Sequence, residues 1–189
     1  MKAVLALTTC ILSTSVANAQ RTMNGQDNIS VSIHYSFSGQ VPIGADLWWG
    51  QYLLSGNAKA GISYSPFSHT LSTTATSGSR TIQNHTILAH GEYMHRIISN
   101  RGRHIGLYAG GGVFLGCELY DPQKRLPKYI VTGLGDCGFL YGIYPAVELE
   151  LFISRQTCIL IRCGLPVNFS SPLSKVRYTT GIGARFNLN

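Results

Sequence analysis

Apolar and polar residues alternate with a period of two over most of this chain, and that pattern constrains the fold more than any other feature. In residues 29–37 the odd positions are all apolar or aromatic, namely Ile29, Val31, Ile33, Tyr35 and Phe37. Serine and histidine fill the even positions between them. The same alternation runs through 105–119, 139–153 and 178–188. A period of two is that of a β-strand with one apolar face, so the sequence predicts an all-β protein.

Eight strand segments follow one another along the chain. We predict them at residues 27–38, 46–55, 59–69, 80–98, 104–120, 138–153, 156–169 and 175–188. Short connections near 56–57, 99–102 and 154–155 alternate with longer ones near 39–45, 70–79, 121–137 and 170–174. This order of short and long connections is typical of an antiparallel up-and-down barrel of the outer-membrane type, with all the long connections at one end.

The polar face of the strands carries nearly all of their charge. We assign to it the eight residues Glu92, Arg96, Glu118, Glu148, Glu150, Arg162, Arg177 and Arg185, together with His34, His90 and His104. Only 12% of all residues are charged, against roughly 25% in an average soluble domain. A soluble barrel with this polar face outside would have a surface poor in charge and rich in glycine. We therefore expect the polar face to line the lumen as a structural network of ion pairs, and the apolar face to meet lipid.

Two features of the strands qualify this assignment, and a third supports it. Segment 46–55 does not alternate cleanly, so its facing stays open. Aromatic residues near segment ends suit the interfacial girdles of a membrane barrel: Phe37, Trp48, Trp49, Tyr52, Tyr64, Tyr120, Phe139, Phe169 and Tyr178. Pro145 lies within a segment and cannot donate to a neighbouring strand, so it requires a bulge or a local break in pairing.

The first 19 residues have the layout of a cleaved signal peptide. Met1-Lys2 supplies a positive start, residues 3–16 are apolar or small, and Ala17-Asn18-Ala19 fits the cleavage pattern. We expect residues 20–189 to form the single β-barrel domain.

Export bears on the cysteines that remain after cleavage, which are Cys117, Cys137, Cys158 and Cys163. Cys117 and Cys137 flank one predicted loop, and a disulfide between them would close it in an oxidising compartment. Four buried free thiols fit the sequence equally well. The spacing contains no Cys-x-x-Cys pair and no histidine lies nearby, so no metal site is expected.

The layout as a whole resembles the TraO family of conjugative transposon proteins from Bacteroidetes. The resemblance is carried in order by 89–93 (AHGEY), 106–116 (GLYAGGGVFLG) and 141–150 (YGIYPAVELE), and by the C-terminal segment 180–189 (TGIGARFNLN). It implies an outer-membrane component of a conjugal transfer apparatus, with other transfer proteins and outer-membrane lipid as partners. It implies no catalysis and no cofactor, and it transfers no functional residue.

Other functions remain open from the residues alone. A small outer-membrane enzyme acting on lipid needs a serine, a histidine and a carboxylate at one height of the barrel. Here His34, His90, His104, Glu92, Glu118 and Ser32 are raw material, but we interpret inward histidines as hydrogen-bonded filling. A passive pore or a surface-loop adhesin is the further alternative. Direct contact with nucleic acid is not expected, because the basic residues are scattered. We assign no catalytic, cofactor-binding or metal-ligating residue.

Overall fold

The computed structural model describes residues 24–37, 43–73, 78–99, 104–120, 137–154, 156–170 and 175–188, with only the backbone for 68–73, 78–83, 120 and 137. These residues form nine strands. They are β1 (Asp27–Ser36), β2 (Ile43–Leu53), β3 (Gly56–Thr73), β4 (Gly78–Ser99), β5 (Ile105–Tyr120), β6 (Cys137–Phe152), β7 (Thr157–Gly164), β8 (Val167–Asn168) and β9 (Thr179–Asn187). Every pairing between strands is antiparallel.

The strands close into one barrel. Each strand from β1 to β6 pairs with the next, β7 continues the sheet from β6 to β9, and β9 returns to β1. The closing pair places Asn28 opposite Asn187 and Ser36 opposite Thr179. Counted with β7 and β8 as one interrupted strand, this is the predicted eight-stranded up-and-down barrel, and the prediction is confirmed. Within the described part of the chain, no helix is long and apolar enough to cross a bilayer.

The interruption between β7 and β8 lies beside Pro145. On β6, Ala146 pairs with Gly164 of β7, and Ile143 pairs with Val167 of β8. No ladder pair joins Tyr144 or Pro145 to residues 165–166, although Leu165 N donates to the Pro145 carbonyl at 2.9 Å. On the other side of β6, Pro145 stays in register opposite Gly111. The break in pairing that the proline requires is therefore present.

Several predicted boundaries differ from those observed. The ladder between β3 and β4 continues to Thr73 opposite Gly78, so the long connection predicted at 70–79 is wrong for all but residues 74–77. Serine and threonine are common in this stretch, and threonine is as compatible with a strand as with a loop. The last strand begins at Thr179 rather than at 175. Most of the predicted connection 121–137, and the signal peptide, lie outside the described residues.

The facing of β2 is now defined. Asp46, Trp48, Gly50 and Tyr52 point inward, while Leu47 and Trp49 point outward. Trp48 and Tyr52 were predicted for the interfacial girdles, and that prediction is wrong, because both are buried in the lumen. Large aromatic rings are accepted there beside inward glycines: a β-carbon on Gly61 would lie 2.7 Å from the Trp48 ring.

The disulfide between Cys117 and Cys137 stays a prediction. Cys137 lies opposite Leu119, and Cys117 lies opposite Phe139, so the two cysteines are diagonal neighbours on adjacent strands. The side chain of Cys137 is not among those described.

Candidate functional site

The inward face of the barrel is packed with polar and charged side chains. Seven of the eight residues predicted for the lumen network are buried there: Glu92, Glu118, Glu148, Glu150, Arg162, Arg177 and Arg185. Their strands place them at alternate positions, with large residues filling gaps left by inward glycines. A narrow eight-stranded lumen admits such a packed interior but little open space.

Five of these seven residues, together with Lys59, form one ion-pair cluster in the middle of the lumen, which we call the central cluster: Lys59, Glu92, Glu148, Glu150, Arg162 and Arg185. Glu148 accepts from three cations, with Lys59 Nζ at 2.5 Å, Arg185 Nη2 at 2.7 Å and Arg162 Nη1 at 3.2 Å. Arg162 also reaches Glu92 at 2.5 Å, and Arg185 also binds Glu150. Three carboxylates thus balance three cations, as burial of charge requires.

Aromatic rings complete the surroundings of these cations. The Trp48 ring lies 5.3 Å from Lys59 Nζ and 5.0 Å from the Arg162 guanidinium carbon. Tyr144 contacts Arg162 on another side, at 5.0 Å. These are distances at which a ring attracts a cation. The hydroxyl of Tyr52 donates to Glu150 at 3.2 Å. The inward aromatic residues therefore belong to the charge network.

A second ion pair lies nearer the end of the barrel that carries the long connections. Arg177 Nη2 is 3.2 Å from Glu118 Oε1, and Asn84 donates to the same carboxylate oxygen. The Arg177 guanidinium stacks 4.2 Å from the centre of the Phe67 ring. This pair lies between the long connections and the central cluster.

Arg96 is the one predicted network residue that the structure places elsewhere. Its guanidinium donates to the Leu54 carbonyl at 2.7 Å, in an exposed contact at the short-turn end. Register shifts between Arg96 and Ile98 in the pairing of β4 with β5, and this irregularity coincides with the end of the regular lumen face.

Two network residues escaped the sequence prediction. Lys59 is buried and binds Glu148, and Asp46 binds His34. The pattern could have found Lys59, since Gly61, Ser63 and Ser65 continue its face along β3. Asp46 lies in the segment whose facing the sequence left open.

A serine, a histidine and an aspartate lie together on the side of the central cluster that is nearer the long connections. His34 Nδ1 lies 2.9 Å from Asp46 Oδ2, and His34 Nε2 lies 2.7 Å from Ser65 Oγ. Ser32 also donates to Asp46 Oδ2, at 3.0 Å. Nearby, His90 Nε2 lies 2.7 Å from Ser63 Oγ. Both histidines line one cavity of about 30 Å³.

No cluster of three or more potential metal ligands occurs among the residues that the structure describes.

The outward face has the opposite chemistry. Large apolar side chains on every long strand are exposed, with Val31 at 50%, Val113 at 61% and Ile182 at 53%. Asp27, at the very start of β1, is the only Asp, Glu, Lys or Arg at an outward strand position whose side chain is described. Six of the predicted girdle residues are exposed on this face or at its ends: Phe37, Trp49, Tyr64, Phe139, Phe169 and Tyr178.

Comparison with known proteins identifies one family and several similar folds. The family model for conjugative transposon protein TraO matches residues 47–188. No curated protein matches the chain.

Among solved structures, the N-terminal β-barrel domain of Pseudomonas aeruginosa OprF is 11% identical, with a TM-score of 0.49, and covers 87% of this chain and 98% of its own. Neisserial surface protein A is 12% identical, with a TM-score of 0.48 and coverage of 86% and 95%. The attachment invasion locus protein Ail of Yersinia pestis is 15% identical, with a TM-score of 0.44 and coverage of 88% and 100%.

Proposed function

Because the chain belongs to the TraO family of conjugative transposon proteins, we propose that it is a barrel component of a conjugative transfer apparatus in the outer membrane. Its role in transfer is structural: it anchors or contacts other transfer proteins and catalyses no step of transfer. Residues 1–19 direct its export. The observation that carries the membrane location is the outward face, which exposes large apolar side chains and almost no charge.

The exposed apolar face supports contact with lipid because water would be an unfavourable neighbour for it. Monomeric soluble proteins rarely expose apolar patches larger than a few hundred Å². Here the exposed residues recur on all the long strands, including Ile33, Leu47, Ile62, Leu115 and Ile143. A hydrocarbon layer accepts such a surface, and among the described residues β1 to β7 and β9 pair in a closed ring.

The buried charges support a role without direct contact to DNA. Lys59, Arg162, Arg177 and Arg185 are each paired with a carboxylate inside the barrel. They are therefore not available to phosphates, whose neutralisation by Lys and Arg provides most of the nonspecific affinity for DNA. The contacts included in the proposal are protein partners from the transfer apparatus and outer-membrane lipid.

The membrane location is tested by adding one charge to the outward face. Ile182 lies in the middle of β9 and points outward, so Ile182→Arg would place a cation against hydrocarbon. We expect it to destabilise the membrane-inserted barrel by about 2–4 kcal/mol. Leu54→Arg is the matched control, because Leu54 is 78% exposed in the turn after β2.

Recovery in the outer-membrane fraction and heat-modifiable migration on gels are the two measurements. The proposal requires a loss for Ile182→Arg and wild-type behaviour for Leu54→Arg. Equal behaviour of the two variants, or recovery of the wild-type protein as a soluble periplasmic species, would contradict the membrane location.

The role in transfer is tested in donor cells. Deleting the gene from a donor that carries the element should lower the frequency of conjugative transfer, and the wild-type gene supplied in trans should restore it. An unchanged transfer frequency, with the protein shown to be present in the parent strain, would refute the assignment to the apparatus and leave the barrel itself untouched.

A further inference from the structure

Three neighbouring strands bring Ser65, His34 and Asp46 together in the lumen. His34 of β1 pairs in register with Gly44 of β2, and Tyr64 of β3 pairs with Ala45, so Gly44 lies between His34 and Ser65. Gly44 has no side chain, and this lets the imidazole reach across β2. A β-carbon at position 44 would collide with His34 Nε2 and lie 2.6 Å from Ser65 Oγ.

The order of hydrogen bonds fixes the direction of the imidazole. Asp46 accepts from Ser32 Oγ and lies 2.9 Å from His34 Nδ1. An ionised carboxylate can only accept, so Nδ1 carries a proton, and in the neutral form of the ring Nε2 is left as an acceptor. The Ser65 hydroxyl, 2.7 Å away, then donates to Nε2. Ser65, His34 and Asp46 are thus hydrogen-bonded in the order in which a base and an orienting carboxylate activate a serine nucleophile.

The neighbouring pair of Ser63 and His90 shows what ordinary lumen filling looks like. Its Nε2–Oγ distance is also 2.7 Å. However, His90 Nδ1 has no hydrogen-bond partner within the described part of the chain, so no carboxylate orients this ring. The His34–Ser65 pair has a carboxylate contact, to Asp46, which the His90–Ser63 pair lacks. The His90–Ser63 pair is therefore an internal control for the His34–Ser65 pair.

A cavity adjoins the Ser65 site. It measures about 30 Å³ and is partly open rather than enclosed, and Asp46, His34 and Ser65 are in its wall. The side chains of His34 and Asp46 each retain 11% exposure. Phe67 and Leu88 make part of the wall apolar, and Arg177, whose charge is paired with Glu118, also lines it. A small neutral group suits this lining better than a bulky or cationic one.

We propose that Ser65 is an activated nucleophile that accepts a small acyl group from an ester. Ser65 Oγ bonds to the acyl carbon as its proton passes to His34 Nε2. The bond between the acyl carbon and the ester oxygen then breaks, and His34 returns the proton to the departing alcohol. The product is an acyl-serine ester, with no change of oxidation state. This covalent modification site goes beyond the structural role in transfer and holds independently of it.

The test uses methanesulfonyl fluoride, a small electrophile that forms a stable sulfonate ester on an activated serine and releases fluoride. Purified wild-type barrel, with folding checked by heat-modifiable migration, is treated with the reagent and the modified residue is located by mass spectrometry. We expect labelling at Ser65, none in Ser65→Ala, and a wild-type rate in Ser63→Ala. Asp46→Asn should slow labelling by about tenfold or more, because it removes the charge that orients and supports His34.

Gly44→Ala provides a second line of evidence, since its methyl group would push His34 away from Ser65 while none of the three reacting residues is replaced. Labelling should be lost in this variant, with the barrel still folded. The proposal is overturned if wild-type Ser65 is not labelled, if Ser63 reacts as fast as Ser65, or if folded Asp46→Asn keeps the wild-type rate.

Discussion

At the scale of single residues, Glu148 has the most ionic partners of the described lumen carboxylates. It is 1% exposed and accepts from Lys59, Arg162 and Arg185. Removing one partner of a buried ionic group costs more than the intact group contributes, because the charges left behind stay buried. The stability of the barrel should therefore depend on this carboxylate more than on any charge at the barrel ends.

We expect Glu148→Gln to lower the free energy of unfolding by about 3–5 kcal/mol, because three cations would then face two carboxylates. Denaturant unfolding of the barrel in detergent, followed by heat-modifiable migration, measures the loss. Arg96→Gln serves as the control: its exposed hydrogen bond to Leu54 predicts a loss of about 1 kcal/mol or less. Similar losses in the two variants would show that Glu148 in the central cluster contributes no more to the free energy of unfolding than the exposed hydrogen bond of Arg96 does.

The sequence predicted most of these residues because a period of two assigns each residue of a regular strand to one face, without knowledge of its contacts. Seven charged residues fell on the correct face: Glu92, Glu118, Glu148, Glu150, Arg162, Arg177 and Arg185. Arg96 was misplaced because it lies at the short-turn end of the barrel, where its guanidinium reaches the Leu54 carbonyl instead of a lumen carboxylate. The meeting of Ser65, His34 and Asp46 could not be predicted either, since it depends on the register of three strands and on the gap at Gly44.

At the scale of elements, β2 shows where alternation fails. Its inward face carries Trp48 and Tyr52 beside Asp46, so both of its faces are rich in large apolar groups. The reason is chemical: buried Lys59, Arg162 and Arg185 are stabilised by aromatic rings, which hydropathy counts as apolar. By contrast, the break between β7 and β8 followed directly from the missing amide proton of Pro145.

The facing of β2 can be checked by fluorescence, because the chain contains two tryptophans. In bilayers of brominated lipid, Trp49 should be quenched, since its side chain is 54% exposed on the outward face. Trp48, at 4% exposure behind the sheet, should not. Trp48→Phe therefore keeps the quenching and Trp49→Phe loses it. The reverse result would mean that β2 is turned by one residue.

At the scale of the whole molecule, eight strands and a closed seam followed from the number of alternating segments and from the lengths of their connections. The extent of the hairpin formed by β3 and β4 did not, because serine and threonine suit both strands and loops.

The filled lumen has a consequence for ion conduction through the barrel. The central cluster and the pair of Glu118 with Arg177 occupy the interior, and an eight-stranded barrel has little space beyond them.

We expect the purified barrel to insert into planar bilayers without conducting. The measurement is single-channel current under an applied voltage, with insertion verified independently by protease protection or by co-flotation with vesicles. Steady, reproducible current steps from the wild-type protein would contradict a plugged lumen and would favour a pore.

The pairing of β1 with β9 determines when the barrel can close. β1 can pair with β2 along one edge, but its other edge must wait for β9, the last of the described strands in chain order. Until then β1 offers an open edge that invites pairing with a wrong partner. A polypeptide released early could not complete the circle, so closure acts as a check that synthesis has run to the end of the barrel.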